Sequence, residues 1–301
     1  MHRYDYSFLK KTVPGNIVGL TDIISDLRSK EEFRKLQYSE TFEILRHKAI
    51  VESVKGSNAI EGIVTTDARI KDNVDGATPV THDEMEISGY KDALNLIHTE
   101  RENLYVKEET ILSFHRMLLA QTNPREAGKY KASDNFIMEI GPDGSRRVLF
   151  KPVSAEKVSD DMEQLLLAYY DARQDYEISP LLLIPCFVLD FLCIHPFMDG
   201  NGRISRLLTV LLLYKSGYDI VKYISFEGQI NKYKDSYYEA LRVSSDKWHE
   251  NENDYVPFIV NFISVLLFFA LPSFVLLSAI GLENPYPFVV TLLLSTPLLI
   301  R

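Results

Sequence analysis

Twelve consecutive residues, His195-Pro196-Phe197-Met198-Asp199-Gly200-Asn201-Gly202-Arg203-Ile204-Ser205-Arg206, place a base, a carboxylate, two glycines and two arginines between two apolar stretches. Glycines at the start of a helix let a phosphate approach the backbone, and the free N–H groups there, at the positive end of the helix dipole, favour an anion. Arg203 and Arg206 are three residues apart, so they share a helix face and offer two forks of donors for phosphate oxygens. Asp199 is a hard oxygen ligand of the kind Mg²⁺ takes alongside substrate phosphates. His195, with an ordinary pKa of about 6.5, suits proton abstraction from a hydroxyl. Taken singly, a His-Pro at a helix end is a cap, Gly-Asn-Gly a turn and paired arginines a solvated face. Converging within one short segment, they describe a polyphosphate site with a base beside it. No Gly-x-x-x-x-Gly-Lys-Ser/Thr loop occurs, and Gly200-Asn201-Gly202 lacks the third glycine of a dinucleotide fingerprint.

The elements that must position this segment are nearly all helical. Ser39 opens a run with apolar residues at helical spacing that Gly56 is expected to interrupt, and Thr81 with Glu84 forms a capping box for a helix reaching Ile97. Between them, Thr65 to Pro79 reads as a loop. Further helices are expected at about 107–120, 154–170, 180–194 with Pro180 at the first position, 201–214 stopped by Gly217, 229–243, and 253–269. One hairpin signal stands out, Asn135 to Ile140 and Arg146 to Phe150 around a Gly-Pro-Asp-Gly-Ser turn. The fold class is therefore all-α, a helical bundle with one small β-hairpin.

Composition narrows the partners. With 33 basic and 42 acidic side chains in 301 residues, a net charge of −9, a strongly basic nucleic-acid surface is excluded as the main business of the chain. Cys186 and Cys193 lie in one apolar helix and read as buried thiols, and the polar N-terminus carries no secretory signal, so a cytoplasmic location is expected. The last thirty or so residues depart from this picture, since Glu283 is the one charge between Val256 and Ile300. For residues 271–301 a membrane anchor, a packed or oligomer-forming element, and a truncated or frame-shifted end all stay open.

His195 to Arg206 fits every position of the Fic motif, His-Pro-Phe-x-Asp/Glu-Gly-Asn-Gly-Arg-x-x-Arg, and the chain resembles a Fic (Fido) domain protein from near Ser39 to about Val260. The resemblance implies three regions: an N-terminal helical region 1–106, a Fic core 107–255, and a closing helix and tail 256–301. It also implies a helical bundle with a hairpin flap, and protein adenylyltransferase activity: AMP moves from ATP to a Ser, Thr or Tyr hydroxyl of a target protein and pyrophosphate leaves. By the same resemblance His195 is the general base and Asp199 holds Mg²⁺ against the phosphates. Gly200, Asn201 and Gly202 form the anion cradle, Arg203 meets the β-phosphate, and Arg206 meets the γ-phosphate. Arg147, Val148, Leu149 and Phe150 belong to a flap that registers the target by strand addition, although the same pattern also fits a plain edge hairpin. Tyr237 resembles the family tyrosine that lies against the nucleotide. Ser245 departs from the asparagine found there in some relatives, which weakens the carry-over of base contacts.

Ser57-Asn58-Ala59-Ile60-Glu61-Gly62 fits the family's inhibitory pattern, Ser/Thr-x-x-x-Glu-Gly/Asn. The resemblance implies an inhibitory helix at about 39–62 whose Glu61 pairs with Arg206 and denies it to the γ-phosphate. The same glutamate orients water in relatives that remove AMP from a modified target, so de-AMPylation stays open. So do transfer of another phosphate-linked group and a nucleotide-sensing module without activity. Self-modification and a homo-oligomer are further partner expectations.

Overall fold

The computed structural model describes residues 2–11, 17, 19–25, 39–140 and 144–279, with the side chains of 39, 41, 139, 140 and 268–279 outside that set. Its centre is a strongly apolar helix. Pro180–Ile194 is buried over every residue from Leu181 onward, and Asn201–Lys215 beside it is almost equally buried. Labels here run in chain order: α1 Ser39–Ile60, α2 Asp67–Val74, α3 His82–Glu100, α4 Glu108–Leu119, β1 Ile137–Ile140 and β2 Arg146–Phe150. They continue with α5 Val158–Gln174, α6 Pro180–Ile194, α7 Asn201–Lys215, α8 Phe226–Lys232, α9 Lys234–Ser245 and α10 Val256–Ala279. Helices α5, α7, α9 and α10 surround α6, while α3, α4 and α1 pack on the α7 side. The all-α class with a two-stranded antiparallel hairpin is as the sequence implied.

Several local expectations are corrected. Helix α1 runs through Gly56 to Ile60, because the missing side chain lets two backbones touch: a Cβ at Gly56 would lie 2.8 Å from the Cα and N of Gly228. The stop comes at Gly62, which has φ +80°. The loop expected at 65–79 contains α2, capped by Thr66, whose hydroxyl accepts from Arg69 N–H, and anchored by buried Ile70. Eight mostly polar residues with one buried aliphatic side chain give too little periodicity to reveal it. The helix expected at 229–243 is two helices, meeting at Tyr233. Ser225 starts the first by accepting from Gly228 N–H at 2.7 Å, and the bend sends α8 against α1 and α9 against α10. Strand β1 begins at Ile137 rather than Asn135, whose amide is spent on the loop after α6. The turn residues 141–143 lie outside the described residues, as do 280–301, on which the expectations for the tail chiefly fall. Among the described residues no helix is long and apolar enough to cross a membrane.

One polar residue interrupts the apolar surface of α6. Asp190 is fully buried, and its carboxylate accepts from Trp248 Nε1–H at 2.7 Å, Tyr6 OH at 2.7 Å and Tyr255 OH at 2.8 Å. Its donors come from the N-terminal arm, the turn after α9 and the approach to α10, so this one carboxylate ties three separate pieces of chain to the central helix. His2 adds to it by stacking on Trp248 with ring centroids 4.0 Å apart. Burial pushes the Asp190 carboxyl up to about 6, against the three donors. Substituting Tyr6→Phe keeps the ring and removes one donor from a buried carboxylate oxygen, which should cost about 1–3 kcal/mol in urea denaturation. An unchanged midpoint would show that the arm is dispensable.

Candidate active site

The chemistry-bearing segment lies where α6 ends and α7 begins. His195 caps α6 in the left-handed conformation, φ 51° and ψ 61°, with its N–H donating to the Phe191 carbonyl at 3.0 Å. A residue with a side chain holds that conformation at a cost of roughly 1–2 kcal/mol, so the surroundings must enforce it. The imidazole is oriented as well. Nδ1 lies 3.2 Å from the Leu192 carbonyl, which accepts only, so Nδ1 carries the proton and Nε2 presents its lone pair. Burial pulls the imidazole from 6.5 down to about 4, helped by the nearby charge of Lys131 and opposed by the Leu192 hydrogen bond, so it is neutral at neutral pH.

The turn itself is built by its polar residues. Asn201 is buried and spends its amide on one backbone unit, accepting from Phe197 N–H at 2.9 Å and donating to Phe197 O at 2.8 Å. Its side chain therefore shapes the cradle and does not line it; the backbone does that. The first helical hydrogen bond of α7 runs from Ile204 N–H to Gly200 O, so the N–H groups of Asn201, Gly202 and Arg203 have no acceptor within the helix. Gly200 has φ +83°, and a Cβ there would press on Leu118 at 2.9 Å. Asp199 is exposed at the rim, where one oxygen accepts from Gly200 N–H at 2.6 Å and the other lies 3.4 Å from Arg203 Nη2. Among the described residues no group of three His, Cys, Asp or Glu converges to hold a metal. Asp199 thus fits the hard-cation role expected of it only together with oxygens from a bound phosphate chain.

The two arginines part company. Arg203 is fully buried, with Nη1 donating to the Glu86 carboxylate of α3 and its Nε without a partner. The free fork expected of it is tied to Glu86. Arg206, also buried, donates from Nε to Ser57 Oγ at 2.8 Å, and from Nη2 to Ser57 O at 3.0 Å and to Glu61 Oε1 at 2.8 Å. Ser57 and Glu61 thus meet Arg206 across a sequence gap that only the docking of α1 can close. The Glu61 carboxylate also lies directly against Gly202, in space that a side chain there would claim. Burial works to raise its pKa, but the charge and hydrogen bond of Arg206, with Arg203 and His195, outweigh burial and hold the carboxyl below its ordinary range. Gly62 ends the helix just beyond. Tyr237 is buried behind Arg206 and packs on Phe258 with centroids 5.6 Å apart, so its ring backs the site.

The hairpin stands at the edge of this site. Met138 pairs with Val148, Glu139 with Arg147 and Ile140 with Arg146. Arg147, Val148 and Leu149 are exposed, while Phe150 stacks on His249 at 5.5 Å and anchors the strand. Four further residues matter that sequence reasoning missed: Glu86, His115, Lys131 and Asn135. His115 and Glu86 sit at helical spacing among apolar residues and read there as ordinary helix positions.

The Fic/DOC family model matches residues 105–213. Among curated proteins, the chain is 28% identical over 223 residues to Protein adenylyltransferase Fic of Nematostella vectensis, covering 70% of this chain and 46% of that protein. It is 24% identical over 202 residues to Protein adenylyltransferase fic-1 of Caenorhabditis elegans, covering 65% of this chain and 37% of that one. The chain thus spans less than half the length of these relatives. A solved Fic family protein from Desulfovibrio desulfuricans shares the fold, with a TM-score of 0.73 over 92% of this chain and 78% of that one at 22% identity. A Fic domain containing signaling protein from Bacteroides thetaiotaomicron gives 0.67 over 81% and 92% at 25% identity. The complete motif lies inside the residues that match the Fic/DOC family model, 105–213, and is folded as this helix-turn-helix.

Proposed function

We propose that the protein is an adenylyltransferase that moves AMP from ATP to a hydroxyl of a target protein, and that α1 holds it inactive. The observation that carries the reading is the Glu61 carboxylate. It lies against Gly202 at the start of α7 and accepts from Arg206 at 2.8 Å, so the protein's own anion fills the place built for one. The relatives named protein adenylyltransferase support the same chemistry.

In this reading His195 Nε2 takes the proton of the target hydroxyl, whose oxygen bonds to the α-phosphorus of ATP. The bond from that phosphorus to the β-bridging oxygen breaks and pyrophosphate leaves. The unpaired N–H groups at the start of α7 and the charges of Arg203 and Arg206 neutralise the phosphate chain, which is most of what such a transfer requires. Asp199, together with phosphate oxygens, would hold Mg²⁺, which would supply further charge neutralisation. Glu61 retains Arg206 by a charge-assisted hydrogen bond, with Ser57 taking the guanidinium's other donors and shielding that side. Residues 1–106 then act as the regulatory region and 107–255 as the transferase core. Glu61 is close enough to His195 to influence its charge, which equally suits orienting water toward an AMP-modified target.

Intact mass after incubation with ATP, Mg²⁺ and lysate proteins tests the reading. Glu61→Gly should raise AMP incorporation severalfold or more, and adding His195→Ala should remove about 10²- to 10⁴-fold of it. No mass gain with Glu61→Gly would leave a nucleotide-sensing module, and loss of AMP from a pre-modified target would establish the hydrolytic direction.

Gly56→Ala inserts a methyl group against the Gly228 backbone and should loosen α1 with every active-site residue intact. Incorporation should rise in the direction of Glu61→Gly, and a rate equal to that of the unmodified protein would remove α1 docking from the mechanism. The pH profile follows from the depressed histidine: a base with a pKa of about 4 stays neutral above it, so kcat/KM of Glu61→Gly should be flat from about pH 5.5 to 7.5. An acid limb centred near 6.5 would contradict the assignment.

A further inference from the structure

The irregular chain between α4 and β1, with the last turn of α4, runs beneath the turn that carries His195, and it captures the carbonyl oxygens of that turn one after another. His115 Nε2–H donates to Asp199 O at 3.1 Å, a tautomer fixed by Gly128 N–H donating to Nδ1 at 3.0 Å, and the ring stacks on Phe197 at 3.8 Å. Lys131 N–H donates to Pro196 O at 2.9 Å. The Lys131 ammonium reaches Ile194 O at 3.4 Å and Asn135 Oδ1 at 2.7 Å, while Asn135 Nδ2 donates to Phe197 O at 3.0 Å. Four carbonyls, those of Ile194, Pro196, Phe197 and Asp199, are thereby drawn to one side. This is what a left-handed residue at 195 needs, because the turn around it relaxes unless its backbone is held.

Lys131 has the central place. It is 3% exposed, no carboxylate lies within ion-pair distance of it among the described residues, and a buried ammonium in that state is costly unless its hydrogen bonds repay it. The ammonium's bonds run in two directions, to the Ile194 carbonyl of the peptide that enters His195 and to Asn135, two residues before the flap begins at Ile137, while the backbone N–H of Lys131 holds Pro196 O just beyond the histidine. Burial also lowers the ammonium's pKa to about 8, a sign of how little water compensates it.

We propose that Lys131 is a positioning residue whose ammonium ties the Ile194–His195 peptide to the base of the hairpin, so that the histidine and the flap keep a fixed register. The consequence for transfer rests on the adenylyltransferase reading above: the flap would present the hydroxyl, and Lys131 fixes where Nε2 meets it. Displacement of a catalytic group by an ångström can cost on the order of 10²-fold in rate.

The test is made in the Glu61→Gly protein. Lys131→Met should lower kcat for target modification by about tenfold or more while the KM for ATP stays within about threefold, because the phosphate cradle at 200–206 keeps its own supports. Lys131→Arg, which retains a cation and donors, should recover most of the loss. Amide hydrogen exchange gives a readout independent of transfer: Lys131→Met should quicken exchange at 194–200 and at 137–150 together, with Arg again restoring protection. If the Glu61→Gly parent transfers no AMP, the adenylyltransferase reading fails, and the exchange data alone judge Lys131. Should Lys131→Met not fold, Lys131→Gln takes its place. Parent-level kcat and parent-level exchange in the Met or Gln variant would overturn the proposal, as would faster exchange confined to one of the two segments.

Discussion

Burying two consecutive helices on almost every side, with only the six residues 195–200 between them, is the constraint from which the rest follows. A turn that short, leaving one buried helix and entering the next, must reverse direction while satisfying carbonyls that neither helix can serve. It does so with a left-handed histidine, a left-handed glycine and an asparagine folded back on Phe197. The same geometry leaves N–H groups unpaired at the start of α7, so the requirement of chain reversal and the requirement of an anion site are met by one arrangement.

Charge is placed within that arrangement by elements far away in sequence. Glu86 comes from α3 and takes Arg203, while Ser57 of α1 and Glu61 of the turn that closes it take Arg206. Buried guanidinium groups are tolerated only with partners of this kind, which makes the arginines sensitive to how the N-terminal helices sit. Gly56 and Gly228 set that fit by letting α1 and α8 touch backbone to backbone, and the Lys234 ammonium donates to the Ile60 carbonyl at the end of α1. The contact of one carboxylate with one arginine thus rests on a whole helix interface, and on the proposed reading that interface is where a regulator would act.

A second set of supports stands on the opposite side of the turn, in the chain from His115 to Asn135. Where α1 governs the arginines, this segment governs the backbone that carries His195. Asp190 links both to the remainder of the protein, since it sits one turn before His195 on α6 and gathers the N-terminal arm and Trp248. The hairpin belongs to this side, through Phe150 against His249 and Asn135 against Phe197.

The sequence by itself determined the helical class, the hairpin, the motif from His195 to Arg206 and the Ser57–Glu61 pattern, because those signals are local: periodicity, caps, turn residues and fixed spacing. Only the tertiary structure decided that α1 passes through Gly56, that Arg203 is held by Glu86, that Asn201 shapes the turn from within, and that Tyr237 stands behind Arg206. It alone assigned His115, Lys131 and Asn135 to the turn. Each of those outcomes depends on which atoms meet across tens of residues of intervening chain, and a lysine in a short loop or a glycine in a helix reads the same in sequence whether a carbonyl waits opposite it or water does.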